Sequence, residues 1–135
     1  MAKKKTIAKL LDDNAVLLQK LVRMKAADSE GYITCITCEA KVHWKKADGA
    51  HFISRKYGHT KDCEENIHAS CKQCNGWPDN YTYENYDSYM VAMYGREFIN
   101  ELKILSKIPK KRYRSELLEE KEELKRRVAE LGETL

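Results

Sequence analysis

Two prolines and six glycines are few for 135 residues, and they exclude a collagen-like repeat or a Pro/Gly-rich low-complexity chain. Long apolar runs are missing too, so no segment supplies the roughly 20 residues that a membrane-spanning helix needs. The basic start Lys3-Lys4-Lys5 leads into no apolar stretch with a cleavage site, so a secretory signal is not expected. Hydrophobic residues make up 42% and charged residues 34% of the chain, which excludes full disorder. The expectation is one soluble, helix-rich domain in the cytoplasm, with no membrane partner.

Five cysteines are present, an odd number, and four of them form two Cys-x-x-Cys pairs. Without an export signal a disulfide scaffold is the weaker reading, and a reduced metal site is the stronger one. Net charge is only +4, but it is unevenly spread. Residues 1–25 hold seven Lys/Arg against two Asp, and residues 41–61 hold six against one. The stretch Lys107, Lys110, Lys111, Arg112, Arg114 is also basic, whereas the last twenty residues are rich in Glu. Basic blocks around a middle segment suggest a polyanion partner, set against the ordinary reading of solvated faces.

Apolar residues from Ile7 to Met24 recur at helical spacing, which predicts a first helix over about Thr6 to Ala27. Tyr32 to Cys38 is β-prone. Lys41 to Ile53 reads as a short hairpin around Asp48-Gly49. Ser54 to Glu65 reads as a loop, and Asn66 to Asn75 as a helix start stopped at Gly76-Trp77-Pro78. Tyr83 to Tyr94 predicts a helix whose Tyr/Met stripe is core, and Phe98 to Leu105 another. A last helix opens with Ser115 as N-cap. Its Leu117, Leu124 and Leu131 are spaced by seven, with Val128 and Leu135 alongside, as in a coiled coil. Packing within the domain or dimerisation both fit that seam.

Cys35-x-x-Cys38 and Cys71-x-x-Cys74 suit a closed, tetrahedral structural zinc site, because four thiolates match this borderline-soft ion and leave no open position. The first pair on a β-like knuckle and the second at a helix start give a treble-clef arrangement. Cys63 is the spare, and nothing around it would activate its thiol.

Between the pairs lie Asp48-Gly49-Ala50-His51-Phe52-Ile53-Ser54-Arg55, then Asn66-Ile67-His68, then Asn75 directly after Cys74. Hydrolysing a phosphodiester needs a base for water, a Lewis acid for the leaving oxygen, and a group to orient the base. His51 can be the base, with its second nitrogen held by an amide or a backbone carbonyl. Asn75 and a carboxylate can offer oxygen ligands to Mg²⁺. The zinc cannot do this work, since its shell is closed.

This run from Cys35 to Asn75 resembles the phage NinG/Rap recombination proteins, known from phage lambda, within the wider HNH (ββα-metal, His-Me finger) nucleases. Residues 21–28 look like the family's lead-in helix, and the region from Tyr89 to the terminal charged helix like its tail. The resemblance implies an endonuclease that uses Mg²⁺ or Mn²⁺ on branched DNA such as D-loops and Holliday junctions. A four-way junction has two-fold symmetry and takes two matched cuts, so a homodimer is expected, without a small-molecule substrate and in the host-cell cytoplasm if phage-encoded. Carried over, His51 is the general base, Asn66 braces the hairpin and loop, and Asn75 binds the catalytic metal. Cys35, Cys38, Cys71 and Cys74 hold zinc. Arg55 becomes a phosphate clamp and His68 a contact to phosphate or the metal region. From the basic stretches, Lys45, Lys46 and Lys56 are expected as further DNA contacts. Many HNH enzymes carry Asp immediately before the base. Here that position is Ala50, and Asp48 is the candidate to replace it.

The expected fold is α+β, a small zinc-stapled ββα-metal core over residues 31–80. An N-terminal helical segment over 1–30 and C-terminal helices over 81–135 flank it within a single domain. Two other readings stand beside the junction nuclease. One is an HNH enzyme of the nicking or restriction type, which would cut linear DNA at a fixed sequence. The other is a non-catalytic zinc module that binds DNA or protein, which would cut nothing.

Overall fold

The helical recurrence of apolar side chains in the first segment builds α1 (Ile7–Ala26), capped by Thr6, whose hydroxyl accepts from the Lys9 amide. The computed structural model describes residues 4–76 and 79–133. The apolar face of α1 packs along the last helix, α5 (Arg114–Gly132). Leu117 closes on Leu10 and Leu11, and Leu124 joins Leu18, Leu21 and Val22, with Val128 and Leu131 at the edge. Lys121, which breaks the seam, is tied to Asp13 of α1 at 3.2 Å. Leu117 and Leu124 of the heptad are therefore buried and Leu131 partly buried within one chain, the packing within the domain that the seam allowed. Leu135 lies outside the described residues.

Against this helix pair sit two small antiparallel sheets. β1 (Tyr32–Thr34) pairs with β2 (Lys41–His43), Ile33 facing Val42. β3 (Asp48–His51) pairs with β4 (Ile67–Ser70), in the register Asp48–Ser70, Ala50–His68 and His51–Ile67. α2 (Lys72–Gly76) follows β4 directly, so that β3, β4 and α2 form a hairpin-and-helix unit. Outside it, α3 (Asn80–Tyr94) and α4 (Arg96–Ser106) pack Tyr86, Met90, Ile99 and Leu102 onto Ala50 and Ile53.

Three sequence expectations change. Asp48-Gly49 is not a turn. Residues 41–43 pair with β1, a 3₁₀ turn at Trp44–Lys46 changes direction, and Asp48-Gly49 opens β3. Gly49 serves a close approach instead, for a Cβ there would lie 2.7 Å from the Gln19 backbone of α1. Asn66 to Ser70 is no helix start. Ile67, His68, Ala69 and Ser70 are all buried, and a short run buried on both faces carries no period to separate strand from helix. Ser115 is not the N-cap, since Tyr113 takes that place and the helix begins at Arg114.

Candidate functional site

The knuckle after β1 is a tight turn. The Cys35 carbonyl accepts from the Glu39 amide, and Glu39 takes the left-handed φ of 63° that closes it. Cys71 precedes α2, and its Sγ accepts from the Cys74 amide at 3.4 Å, just as Cys35 Sγ accepts from Thr37. The four Sγ atoms lie within 4.8 Å of one another, and Cys38 and Cys71 are 3.8 Å apart. A tetrahedron of thiolates about 2.3 Å from a central zinc has edges of about 3.8 Å, so donor set and spacing fit Zn²⁺. Cys63 stands apart from this cluster. Burial and the neighbouring Glu65 carboxylate push its thiol up to about 12, which leaves it inert.

His51 ends β3 and points into the space under the long loop 52–66. Its Nε2 lies 2.8 Å from the Lys61 carbonyl oxygen, which can only accept, so Nε2 carries the proton. Nδ1 is then a bare lone pair, and it is buried without a partner among the described residues. Burial lowers the His51 pKa, aided by the charges of Arg55 and Lys61, so the ring is neutral near pH 7.

The loop that supplies the Lys61 carbonyl is held by Asn66, which is fully buried. The Asn66 amide group accepts from the Ile53 N–H at 2.7 Å and donates to the Ile53 and Thr60 carbonyls at 3.1 Å each. The loop is also strapped from outside. Arg112 donates twice to Asp62, at 2.9 and 2.6 Å, and also to the Gly58 carbonyl. Lys61 reaches Asp12 of α1.

A cavity of about 460 Å³ opens at His51, and Ser54, Arg55, Asn75, Phe52 and Tyr83 line it. It therefore brings together His51, Arg55 and Asn75. Asp48 does not line it. Residues three apart on a strand face opposite ways, and the Asp48 carboxylate accepts instead from Asn75 Nδ2 and Lys72 Nζ, each at 3.0 Å. That bond fixes the Asn75 amide and leaves its Oδ1 as the acceptor. Among the described residues, no Asp or Glu lines the cavity.

A family model described as Bacteriophage Lambda NinG protein matches residues 1–133. The chain belongs to the NinG family. No curated protein and no solved structure matches it.

The remaining residues singled out in this NinG-family chain are scattered. His68, across the ladder from Ala50, is buried between tyrosines. The Tyr86 hydroxyl gives its proton to the Ala50 carbonyl at 2.7 Å, so His68 Nδ1–H donates to that hydroxyl and Nε2 accepts from Tyr94 at 2.8 Å. Both nitrogens are engaged inside the protein, and neither is presented to a phosphate. Lys45 lies over Trp44 beside a different hollow, with Lys20 and His43. Lys46 is exposed on the same 3₁₀ turn, and Lys56 rests over Tyr57. Several cations of the basic blocks are committed to the fold, among them Arg23 on the Trp44 and Ala47 carbonyls and Arg112 on Asp62. No helix of the described residues is long and apolar enough to cross a membrane.

Sequence reasoning missed Tyr86, Tyr83 and the Lys61 carbonyl. Tyr86 belongs to the stripe read as core, Tyr83 marked only the start of that helix, and a backbone oxygen leaves no residue-type signal.

Proposed function

We propose that this NinG-family chain is a metal-dependent endonuclease of the HNH type that hydrolyses phosphodiester bonds in branched recombination DNA. The carrying observation is His51, a neutral imidazole with Nε2–H anchored on a backbone carbonyl and Nδ1 unpartnered, on a residue that lines one cavity together with Arg55 and Asn75. Such a nitrogen is built to take a proton from water as that water attacks phosphorus. The hairpin-and-helix unit with a cysteine cluster at its base is the expected frame for that chemistry.

Arg55 would neutralise the attacked phosphate and hold it over His51. Asn75 Oδ1 would ligate the catalytic Mg²⁺ or Mn²⁺, with Asp48 fixing its amide and adding its own charge once Lys72 turns to DNA. The bound ion would offset the charge that develops on the leaving oxygen. Asn66 keeps the carbonyl of the loop in place. Lys45, Lys46 and Lys56 would meet phosphates of neighbouring arms. A two-fold symmetric junction calls for two matched cuts and hence two copies. These would meet outside the leucine faces of α1 and α5, which are already buried.

The cavity without a carboxylate favours a second reading, a zinc module that binds DNA and cuts nothing. The test is a panel of four-way, D-loop, flap and linear duplex DNA with and without Mg²⁺ or Mn²⁺. Metal-dependent cutting concentrated on the branched forms is expected. Cutting at one fixed sequence in linear DNA would move the chain to the nicking or restriction class, and no cutting of any form would favour the binding module.

A further inference from the structure

Tyr83 sits on the wall of the His51 cavity, and 51% of it is exposed. Its position is held from within the protein. Phe52, the residue after His51, stacks on its ring with centroids 5.8 Å apart and planes 15° apart. Phe52 is itself packed on buried Tyr86 at 5.1 Å. Lys103 of α4 donates to the Tyr83 hydroxyl at 3.2 Å and lies over both rings. An exposed aromatic ring, backed by a second ring and flanked by a cation, therefore borders the cavity that holds the base.

We infer that Tyr83 is a stacking platform for one unpaired nucleobase next to the phosphate at His51, and so determines which DNA the site accepts. This rests on the nuclease reading for the role of His51, but the platform itself is a matter of binding. Inside a duplex each base is covered on both faces by its neighbours. A ring on the cavity wall can be covered only by a base that has left the stack, as at a branch point, flap or single strand. Lys103 and Arg55 supply positive charge for the flanking phosphates. The preference is for an unstacked nucleotide, with little dependence on which base it is, because every base has a π-face.

The experiment measures binding in EDTA, where no cutting occurs, to a splayed-arm DNA and to linear duplex of equal length. A 5-iodouracil at the branch point reports by photocrosslinking which side chain it stacks on. The wild type should crosslink at Tyr83. Tyr83→Phe should bind both DNAs like the wild type. Tyr83→Leu, which keeps apolar cover over Phe52, should lose about tenfold in affinity for the splayed arm and little for the duplex. Zinc content and thermal melting confirm that each variant is folded. Equal losses on both DNAs, no loss on either, or a crosslink elsewhere would overturn the platform. Crosslinking at Tyr83 by a protein that cuts no DNA would leave the platform standing and remove the nuclease reading alone.

Discussion

His51 and His68 sit one position apart across the same ladder, yet their partners set opposite tautomers. His51 gives its Nε2 proton to a backbone carbonyl and keeps Nδ1 buried without a partner among the described residues, in a side chain that lines a cavity. His68 gives its Nδ1 proton to Tyr86 and spends Nε2 on Tyr94. The sequence marks both as candidates, because residue type and spacing are all it offers. Only the ring partners separate a base from a core residue. Burial pulls His68 from 6.5 down to about 4, so the unfolded chain binds a proton over this interval that the folded chain does not. Stability must then fall as pH drops from about 6.5 toward 4, by up to roughly 3 kcal/mol from this one group. Urea unfolding across that range should give a clearly flatter acid slope for His68→Phe than for the wild type, and an unchanged slope would show that His68 is not the group responsible. His51 is also lowered by burial, so cleavage should climb with pH through a midpoint below 6.5 and level off near neutrality.

At the scale of elements, the loop between β3 and β4 has no secondary structure apart from a short 3₁₀ turn, yet it carries the carbonyl that orients His51. Its shape comes from three buried hydrogen bonds of Asn66 and from the Arg112–Asp62 pair, whose side chains are 12% and 5% exposed. Burial works against the Asp62 charge, and the Arg112 guanidinium overrides it. Removing one partner of such a pair strands the other. Arg112→Ala should therefore cost about 3 kcal/mol and slow cleavage beyond what the lost stability explains, as measured by denaturant unfolding beside rates taken well below the melting point. A loss confined to the phosphate-binding constant would instead make Arg112 a DNA contact, as its place in a basic stretch first suggests. Asn66 was readable as a brace from its position in the motif. Arg112 was not, because charge runs do not say which cation meets a buried acid 50 residues away. The long helices were legible from their period, whereas β3 and β4, at four residues each, were too short to show one.

At the scale of the molecule, four clustered cysteines bring the knuckle against α2, and the α1–α5 pair backs β4 through Ile67. The two sheets have two strands each and are marginal alone. Zinc held by the four cysteines would therefore add to their folding energy. A chelator should release about one zinc per chain and melt the sheets and α2, with the α1–α5 pair retaining part of the helical signal; circular dichroism with metal analysis checks this. A zinc-free chain with an unchanged spectrum would remove the metal from the account. The cysteine spacing made this centre legible from the sequence. The leucine spacing was equally visible, but a heptad does not state whose helix covers it, and here α1 does.

The central claim is that His51 activates the attacking water. It is tested most directly by comparing wild type with His51→Ala on one four-way junction, with saturating Mg²⁺, matched zinc content and matched junction binding. A fall in cleavage rate of about 10²- to 10⁴-fold, with binding and zinc unchanged, is the predicted result. Cleavage by His51→Ala within a few-fold of the wild type would contradict it.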